Sequence, residues 1–251
     1  MNNQAENELR NDLKNDLQNE LGQPISFELP DWSIPASARV ELIDGKYLKL
    51  EHLRKEHTGD LFEAFSIAKN IADWTYLPYG PFDTENDLRE WVAELAASQD
   101  PWMFALIDKT TGKACGVASY LRINPESGSI EVGHIHFSPL VQKTPAATEA
   151  MFLMADLAFN SGYRRYEWKC DSLNAPSKSA AKRLGFTFEG IFRQATVYKG
   201  RNRDTAWFAI TDGEWLKLRG AFEQWLSDGN FSADGAQKES LSKLTADALV
   251  S

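Results

Sequence analysis

The nine residues Gln142-Lys143-Thr144-Pro145-Ala146-Ala147-Thr148-Glu149-Ala150 carry the most readable chemistry in this chain. They follow an apolar run, Ile130 to Phe137, and open a helical pattern that reaches Phe159. A strand entering a helix through a loop leaves first-turn N–H groups unpaired, and the helix dipole favours negative charge there. That combination binds anions such as phosphates. Further on, Asn174-Ala175-Pro176-Ser177 leads through a short helical pattern to Leu184-Gly185-Phe186. Asn174 and Ser177 read as turn and capping residues, and a cap can also face a ligand. The strand before the loop holds three groups able to accept a proton. Strand alternation puts Glu131 and Gly133 on one face, His134 and His136 on the other.

These groups need a scaffold, and its elements are legible. Val40–Ile43 and Tyr47–Leu50 flank Asp44-Gly45-Lys46, a hairpin signal. A helix is predicted over Thr58–Ile71, an aromatic loop over Asp73–Pro81, and a second helix over Thr84–Ala97 with Thr84 and Asp87 at capping-box spacing. Strands over Met103–Asp108, Ala114–Ile123 and Ser129–Phe137 with short turns suggest an antiparallel meander. Then come a helix (Ala146–Asn160), a strand (Arg165–Asp171), a helix (Ala175–Leu184), strands Thr187–Tyr198 and Thr205–Thr211, and a helix (Glu214–Leu226). The βα steps require parallel neighbours, because a parallel pair needs a crossover. The expectation is an α/β (α+β) fold with a mixed, mostly antiparallel sheet of about seven strands and helices on both faces.

The 251 residues divide on composition into three parts. Residues 1–39 form an N-terminal helix, with Leu9, Leu13, Leu17 and Leu21 on one drifting stripe, followed by a linker holding Pro24, Pro30 and Pro35. The stripe reads either as a loosely docked terminal helix or as a contact to a partner subunit, a homodimer being the candidate assembly. Residues 40–226 form the main domain, and 227–251 a polar tail expected to be disordered. The formal net charge is −9, more than half of it contributed by the two ends. An overall basic footprint for nucleic acid is absent. The N-terminus is too polar for a signal peptide and no apolar stretch approaches ~18 residues, so a cytoplasmic protein without membrane contact is expected. Cys115 and Cys170 read as buried reduced thiols. His134-x-His136 lacks a clear third ligand, and no metal is expected.

The order of elements from Lys46 to Leu226 resembles the GNAT acetyltransferase superfamily, and within it the branch of RimJ/RimL-type ribosomal-protein N-terminal acetyltransferases. The resemblance rests on Glu131-Val132-Gly133-His134, on Gln142 through Ala150, and on Asn174-x-x-Ser177 with Leu184-Gly185-Phe186. The aromatic and basic residues around Phe192-Arg193, Tyr198-Lys199 and Trp207-Phe208 are also similar to acetyltransferases that detoxify microcin C-type aminoacyl-nucleotide antibiotics. The resemblance implies that acetyl-CoA is the co-substrate and that the loop written Arg/Gln-x-x-Gly-x-Gly/Ala holds its pyrophosphate. Here Gln142, Pro145 and Ala147 occupy the fixed places. Cofactor contacts are then expected from Phe137, Gln142, Lys143, Thr144, Ala146, Ala147, Thr148, Asn174 and Ser177, with Asn174 on the pantetheine arm and Ser177 near the thioester sulfur. Proline cannot donate an N–H, but its φ suits a first helical position.

Acetylating an amine requires a neutral nitrogen, an oxyanion donor and a stabilised leaving thiolate. An α-amine, with pKa about 8, meets the first need more readily than a lysine at about 10.4. Glu131, His134 and His136 are the candidate bases, and Ser177 the candidate acid. In some members of the resembled branch a carboxylate lies ten residues after the Gly-Phe phenylalanine; here that position is Thr196. Ala181 stands where another branch has a tyrosine acid. Trp74, Tyr76 and Tyr79 of the aromatic loop, with Arg193 and Tyr198 of the last hairpin, are the candidate acceptor contacts. The implied activity is acetyl transfer to a primary amine, either a small aminoacyl-type molecule or a protein N-terminus, by direct attack in a ternary complex. An acyl-CoA-binding module without transferase activity is the alternative, and an interaction protein working through the Leu9–Leu21 helix a third reading.

Overall fold

The computed structural model describes residues 17–67 and 71–250. The chain divides into two compact units, Met1–Ser33 and Ile34–Ser251. In the first, the Asn19 side-chain oxygen accepts the N–H groups of Leu21 (3.0 Å) and Gln23 (2.9 Å), and Gln18 bridges to Pro24. A side chain bonding forward in this way competes with helical pairing. Leu17 and Leu21 therefore sit at a turn rather than on the expected helix; Leu9 and Leu13 lie outside the described residues.

The second unit is built on eight strands in one sheet, rather than about seven: β1 (Leu42–Asp44), β2 (Leu48–His52), β3 (Trp102–Asp108), β4 (Ala114–Asn124), β5 (Ser129–Phe137), β6 (Arg165–Asp171), β7 (Thr187–Tyr198) and β8 (Arg201–Thr211). The described helices of this unit are α1 (Thr58–Ser66), α2 (Glu85–Ala96), α3 (Pro145–Asn160), α4 (Ala175–Arg183), α5 (Asp212–Leu226) and α6 (Leu241–Val250), with short 3-10 turns between some of them. The strand order is β1-β2-β3-β4-β5-β6-β8-β7, and of these pairs only β5–β6 is parallel. The crossover that a parallel pair demands is α3. In the second βα step β8 inserts between β6 and β7, so that step yields no parallel neighbours.

Helix starts follow their capping chemistry. Thr84 and Asp87 close a capping box on α2, and Thr211 with Glu214 does the same on α5. β4 is buried without interruption from Ala114 to Leu121, because helices cover both faces of the sheet centre. On one face Leu61, Leu88 and Val92 of α1 and α2 meet Met103, Ala105 and Val117. On the other, Met151, Met154 and Ala158 of α3 join Trp215, Leu218 and Phe222 of α5 over Phe104, Tyr120 and Tyr166.

The C-terminal segment departs from the expected disorder. α6 buries Leu241, Leu244 and Thr245, one apolar face at helical spacing. The turn before it is held by Asn230, whose side-chain amide donates to the carbonyls of Trp225 (3.1 Å) and Glu239 (3.2 Å). No described helix is long and apolar enough to cross a membrane.

Candidate active site

The site begins where the sheet opens. β5 and β6 pair from Ser129–Arg165 to Val132–Trp168 and no further, although both strands continue. At the same point β5 is bulged against β4: between the pairs Val117–His136 and Ser119–Gly133, two β5 residues oppose one on β4. His134 takes a left-handed φ of 50° there. A bulge adds one residue to the alternation. Ile130, Val132, Ile135 and Phe137 all meet the α3 core, so Glu131, His134 and His136 share the opposite face. The expected separation of Glu131 from the two histidines is therefore corrected by the bulge.

On the α3 side the loop leaves β5 at Phe137, and the Gln142 amide donates to the Phe137 carbonyl (2.6 Å). Lys143 has φ 60°, and Thr144 is the N-cap of α3 with Pro145 at its first position. The Thr144 hydroxyl turns back to the Val141 carbonyl (2.7 Å) and supplies no cap hydrogen bond. Ala146 and Ala147 thus keep first-turn N–H groups without a helical partner, at the positive end of a 16-residue helix. Thr148 lies a turn inside, buried, and accepts from Arg183 of α4 (3.0 Å). Arg183 also lies over the Trp225 ring, and burial lowers its pKa.

Beyond the opening, β6 leads into α4. The Asn174 side chain caps α4 by accepting the Ser177 N–H (3.0 Å). The Ser177 hydroxyl oxygen accepts the indole N–H of Trp168 (3.0 Å). Cys170 lies against the same hydroxyl, and burial pushes its thiol above the ordinary range.

The other face carries the aromatic loop and the last hairpin. Trp74 is buried against His136 (ring centroids 3.8 Å) and packs on Gly80, whose φ of 65° and contact with the indole leave no room for a Cβ. Tyr79 stacks on His134 and its hydroxyl meets His134 Nδ1 (3.1 Å). Burial holds both imidazoles at pKa about 4, hence neutral at neutral pH, and pushes the Tyr79 phenol up. Lys199, at the β7–β8 turn, donates to the carbonyls of Trp74 (2.8 Å) and Gly80 (3.0 Å), which ties the hairpin to the loop. Tyr76 donates to the Leu173 carbonyl (3.2 Å), and Tyr198 to Asp171 (2.9 Å). Arg193, by contrast, is exposed on β7 near Asp204 and joins none of these contacts among the described residues.

Glu131 is committed elsewhere on this face. Its carboxylate accepts Arg122 (2.8 Å) and the buried Lys169 (2.9 Å), and Lys169 also meets Glu167 (2.7 Å) and the Trp207 ring (3.8 Å). Burial raises the Glu131 pKa, opposed by the two cations.

A domain described as "Acetyltransferase (GNAT) domain" matches residues 48–187, more than half of the chain. The chain belongs to the GNAT acetyltransferase family. A GCN5-related N-acetyltransferase from Brucella melitensis is 43% identical to this GNAT chain, with a TM-score of 0.84, over 87% of this chain and all of that one. The "Uncharacterized N-acetyltransferase p20" of Bacillus licheniformis is 26% identical over 181 residues, 70% of this chain and 99% of its own. RimL, the ribosomal L7/L12 alpha-N-protein acetyltransferase, and the microcin C7 self immunity acetyltransferase MccE share the fold at 22% and 19% identity, with TM-scores of 0.58 and 0.59. They cover 68% and 66% of this chain and nearly all of their own.

Members of the GNAT family transfer acetyl groups from acetyl-CoA, and the residues here suit that co-substrate: a splayed strand pair, free helix N–H groups, and a lysine in the loop. The conformational freedom a loop glycine would supply is used at Lys143, not at Pro145. Several residues at this GNAT site escaped the sequence reading. Trp168, Cys170, Lys169 and Asp171 all lie on β6, where an alternating strand looks like core, and the only available signal was the acidic end of that strand beside Asn174.

Proposed function

We propose that the chain transfers the acetyl group of acetyl-CoA to a primary amine by direct attack within a ternary complex. The observation that carries this reading is that α3, with two free N–H groups, and α4, with the Ser177 hydroxyl, both begin at the end where the parallel β5–β6 pair opens. In this reading Ala146, Ala147 and Lys143 hold the pyrophosphate, Gln142 and Thr144 hold the loop's shape, and Asn174 faces the pantetheine arm. Thr148 contributes through its contact with Arg183. Bound acetyl-CoA supplies an activated acyl carbon.

The edge of β5 from Gly133 to Phe137 that no longer pairs with β6 offers the oxyanion donor. The Ser177 oxygen already accepts the Trp168 N–H, so its O–H, which lies against Cys170, is the group that turns to donate toward the departing sulfur. Neither thiol is suited to form an acyl-enzyme, since burial raises both and only the thiolate is nucleophilic. Trp74, Tyr76, Tyr79 and Tyr198, with neutral His134 and His136, form the acceptor wall. Its aromatic surface favours a small aminoacyl-type molecule over a lysine side chain, with a protein N-terminal α-amine as the other acceptor. MccE, of the same fold, was crystallised with acetyl-CoA and AMP together.

The test is thiol release from acetyl-CoA across alkylamines, peptides with free N-termini and aminoacyl-adenylate analogues, beside CoA-induced thermal stabilisation. Turnover with an α-amine supports the reading. Stabilisation without any turnover favours an acyl-CoA-binding module, and no CoA effect refutes both.

A further inference from the structure

The transfer needs a proton acceptor, and the three groups named from the sequence are each engaged. Glu131 is locked by Arg122 and Lys169, His134 Nδ1 is held by the Tyr79 hydroxyl, and His136 is buried against the Trp74 and Phe65 rings. A fourth group lies closer to the leaving-group end. Asp171 follows Cys170, whose thiol lies against Ser177, and it sits three residues past the last β5–β6 pair on the opened edge. Alternation on β6 puts Trp168 and Cys170 in the α3 core, so Asp171 faces the acceptor side with Lys169. Asp171 is 5% exposed, and its carboxylate accepts the Leu173 N–H (2.8 Å) and the Tyr198 hydroxyl (2.9 Å). Among the described residues no lysine or arginine forms an ion pair with it. Burying a carboxylate without a cation is costly, and the two hydrogen bonds are what offset that cost here.

We infer that Asp171, reached through the Tyr198 hydroxyl, is the group that accepts the proton of the acceptor amine. The inference rests on the acetyl-transfer reading above. Tyr198 touches the amine; Asp171 receives the proton. The ammonium passes a proton to the phenol oxygen as the phenol proton moves to Asp171, so the tyrosine stays neutral throughout. The freed lone pair forms the C–N bond to the acyl carbon, and the C–S bond breaks with its electron pair going to sulfur. The second nitrogen proton leaves with the thiolate as the thiol, while Asp171 returns its proton to solvent. The groups facing the pair are Tyr76 from the aromatic loop and Arg203 from β8, with Lys178 of α4 on the Cys170 side. Tyr198 itself is pushed up to about 12 by burial and Asp171, which suits a relay and not an independent base.

The experiment compares wild type, Asp171→Asn and Tyr198→Phe on the amine of the panel that wild type acetylates fastest, across pH 6 to 9, with acetyl-CoA binding measured by calorimetry. Loss of a general base is expected to lower kcat by ~100-fold or more in Asp171→Asn. That variant's rate should then climb about tenfold per pH unit toward the amine's own pKa, while acetyl-CoA affinity stays within about twofold. Tyr198→Phe, which removes one oxygen, is expected to lose about tenfold in kcat with the same change of pH profile. Should Asp171→Asn fail to fold, Tyr198→Phe decides. Wild-type rate and pH profile in both variants would overturn this inference alone. Wild type binding acetyl-CoA but turning over no amine would overturn the transferase reading and this one with it.

Discussion

Glu149, in the second turn of α3, holds the β1–β2 turn through its carboxylate. The side chain is buried and accepts three backbone N–H groups, from Lys46 (2.7 Å), Tyr47 (2.8 Å) and Leu48 (3.1 Å). Gly45 approaches so closely that a Cβ there would lie 2.6 Å from a Glu149 oxygen. Hydrogen bonds to a charged group contribute roughly 1.5–3 kcal/mol each, but an exposed donor regains water when its partner is removed. Lys46 is exposed, Tyr47 half-buried and Leu48 fully buried, so the full loss falls on one donor and part of it on a second. Glu149→Ala should therefore destabilise by about 3–4 kcal/mol, and Glu149→Gln by roughly half of that, since its amide keeps one acceptor and adds a misplaced donor. Urea unfolding followed by tryptophan fluorescence reads this directly. At an m-value of ~3 kcal/mol/M the Ala variant's midpoint should fall by about 1 M. An unchanged midpoint with an unchanged m-value would refute the idea that this carboxylate fastens the hairpin to the helix whose start is proposed to hold CoA.

Other expectations concern pH, the loop and the hairpin latch. The pKa values of His134 and His136 are lowered in the folded chain to about 4 from 6.5, so the unfolded state binds more protons between those values. Stability should hold above pH 6.5 and fall as pH drops toward 4, by about 1.4 kcal/mol per unit for each imidazole. Urea titrations of His136→Gln should show a shallower acid limb, and an unchanged limb would contradict the assignment. Lys143→Gly relieves a left-handed φ worth ~1 kcal/mol yet removes the loop ammonium. Its melting temperature should stay level or rise while acetyl-CoA affinity falls; unchanged affinity by calorimetry would remove Lys143 from the phosphate site. Lys199→Ala cuts the two bonds to the Trp74 and Gly80 carbonyls, and should raise KM for the amine more than KM for acetyl-CoA. Equal effects on both would deny the hairpin its role as a wall of the acceptor site.

Much of the site was readable because its parts rest on local rules. The free start of α3 follows from Pro145 after a polar loop, and the α4 start from Asn174 three residues before Ser177. What was missed depends on non-local geometry. The His134–Ile135 bulge reverses the alternation that would have parted Glu131 from the histidines, and nothing in the β5 residues alone requires it. Asp171 reads as the last residue of a strand until β7 folds back and brings Tyr198 to it. In the C-terminal segment Leu241, Leu244 and Thr245 make a buried face too sparse to stand out against the polar residues around them. Asn19 breaks the leucine stripe by bonding forward to Leu21 and Gln23, which leucine spacing does not reveal.

The most direct measurement is a matrix of initial rates, varying acetyl-CoA and an α-amine acceptor together, with product mass recorded for each reaction. Direct attack in a ternary complex predicts double-reciprocal lines that intersect, one acetyl group added to the amine for each thiol released, and loss of turnover with retained CoA binding in Ser177→Ala. Parallel lines, thiol release without an acetylated amine, or full activity in Ser177→Ala would contradict it.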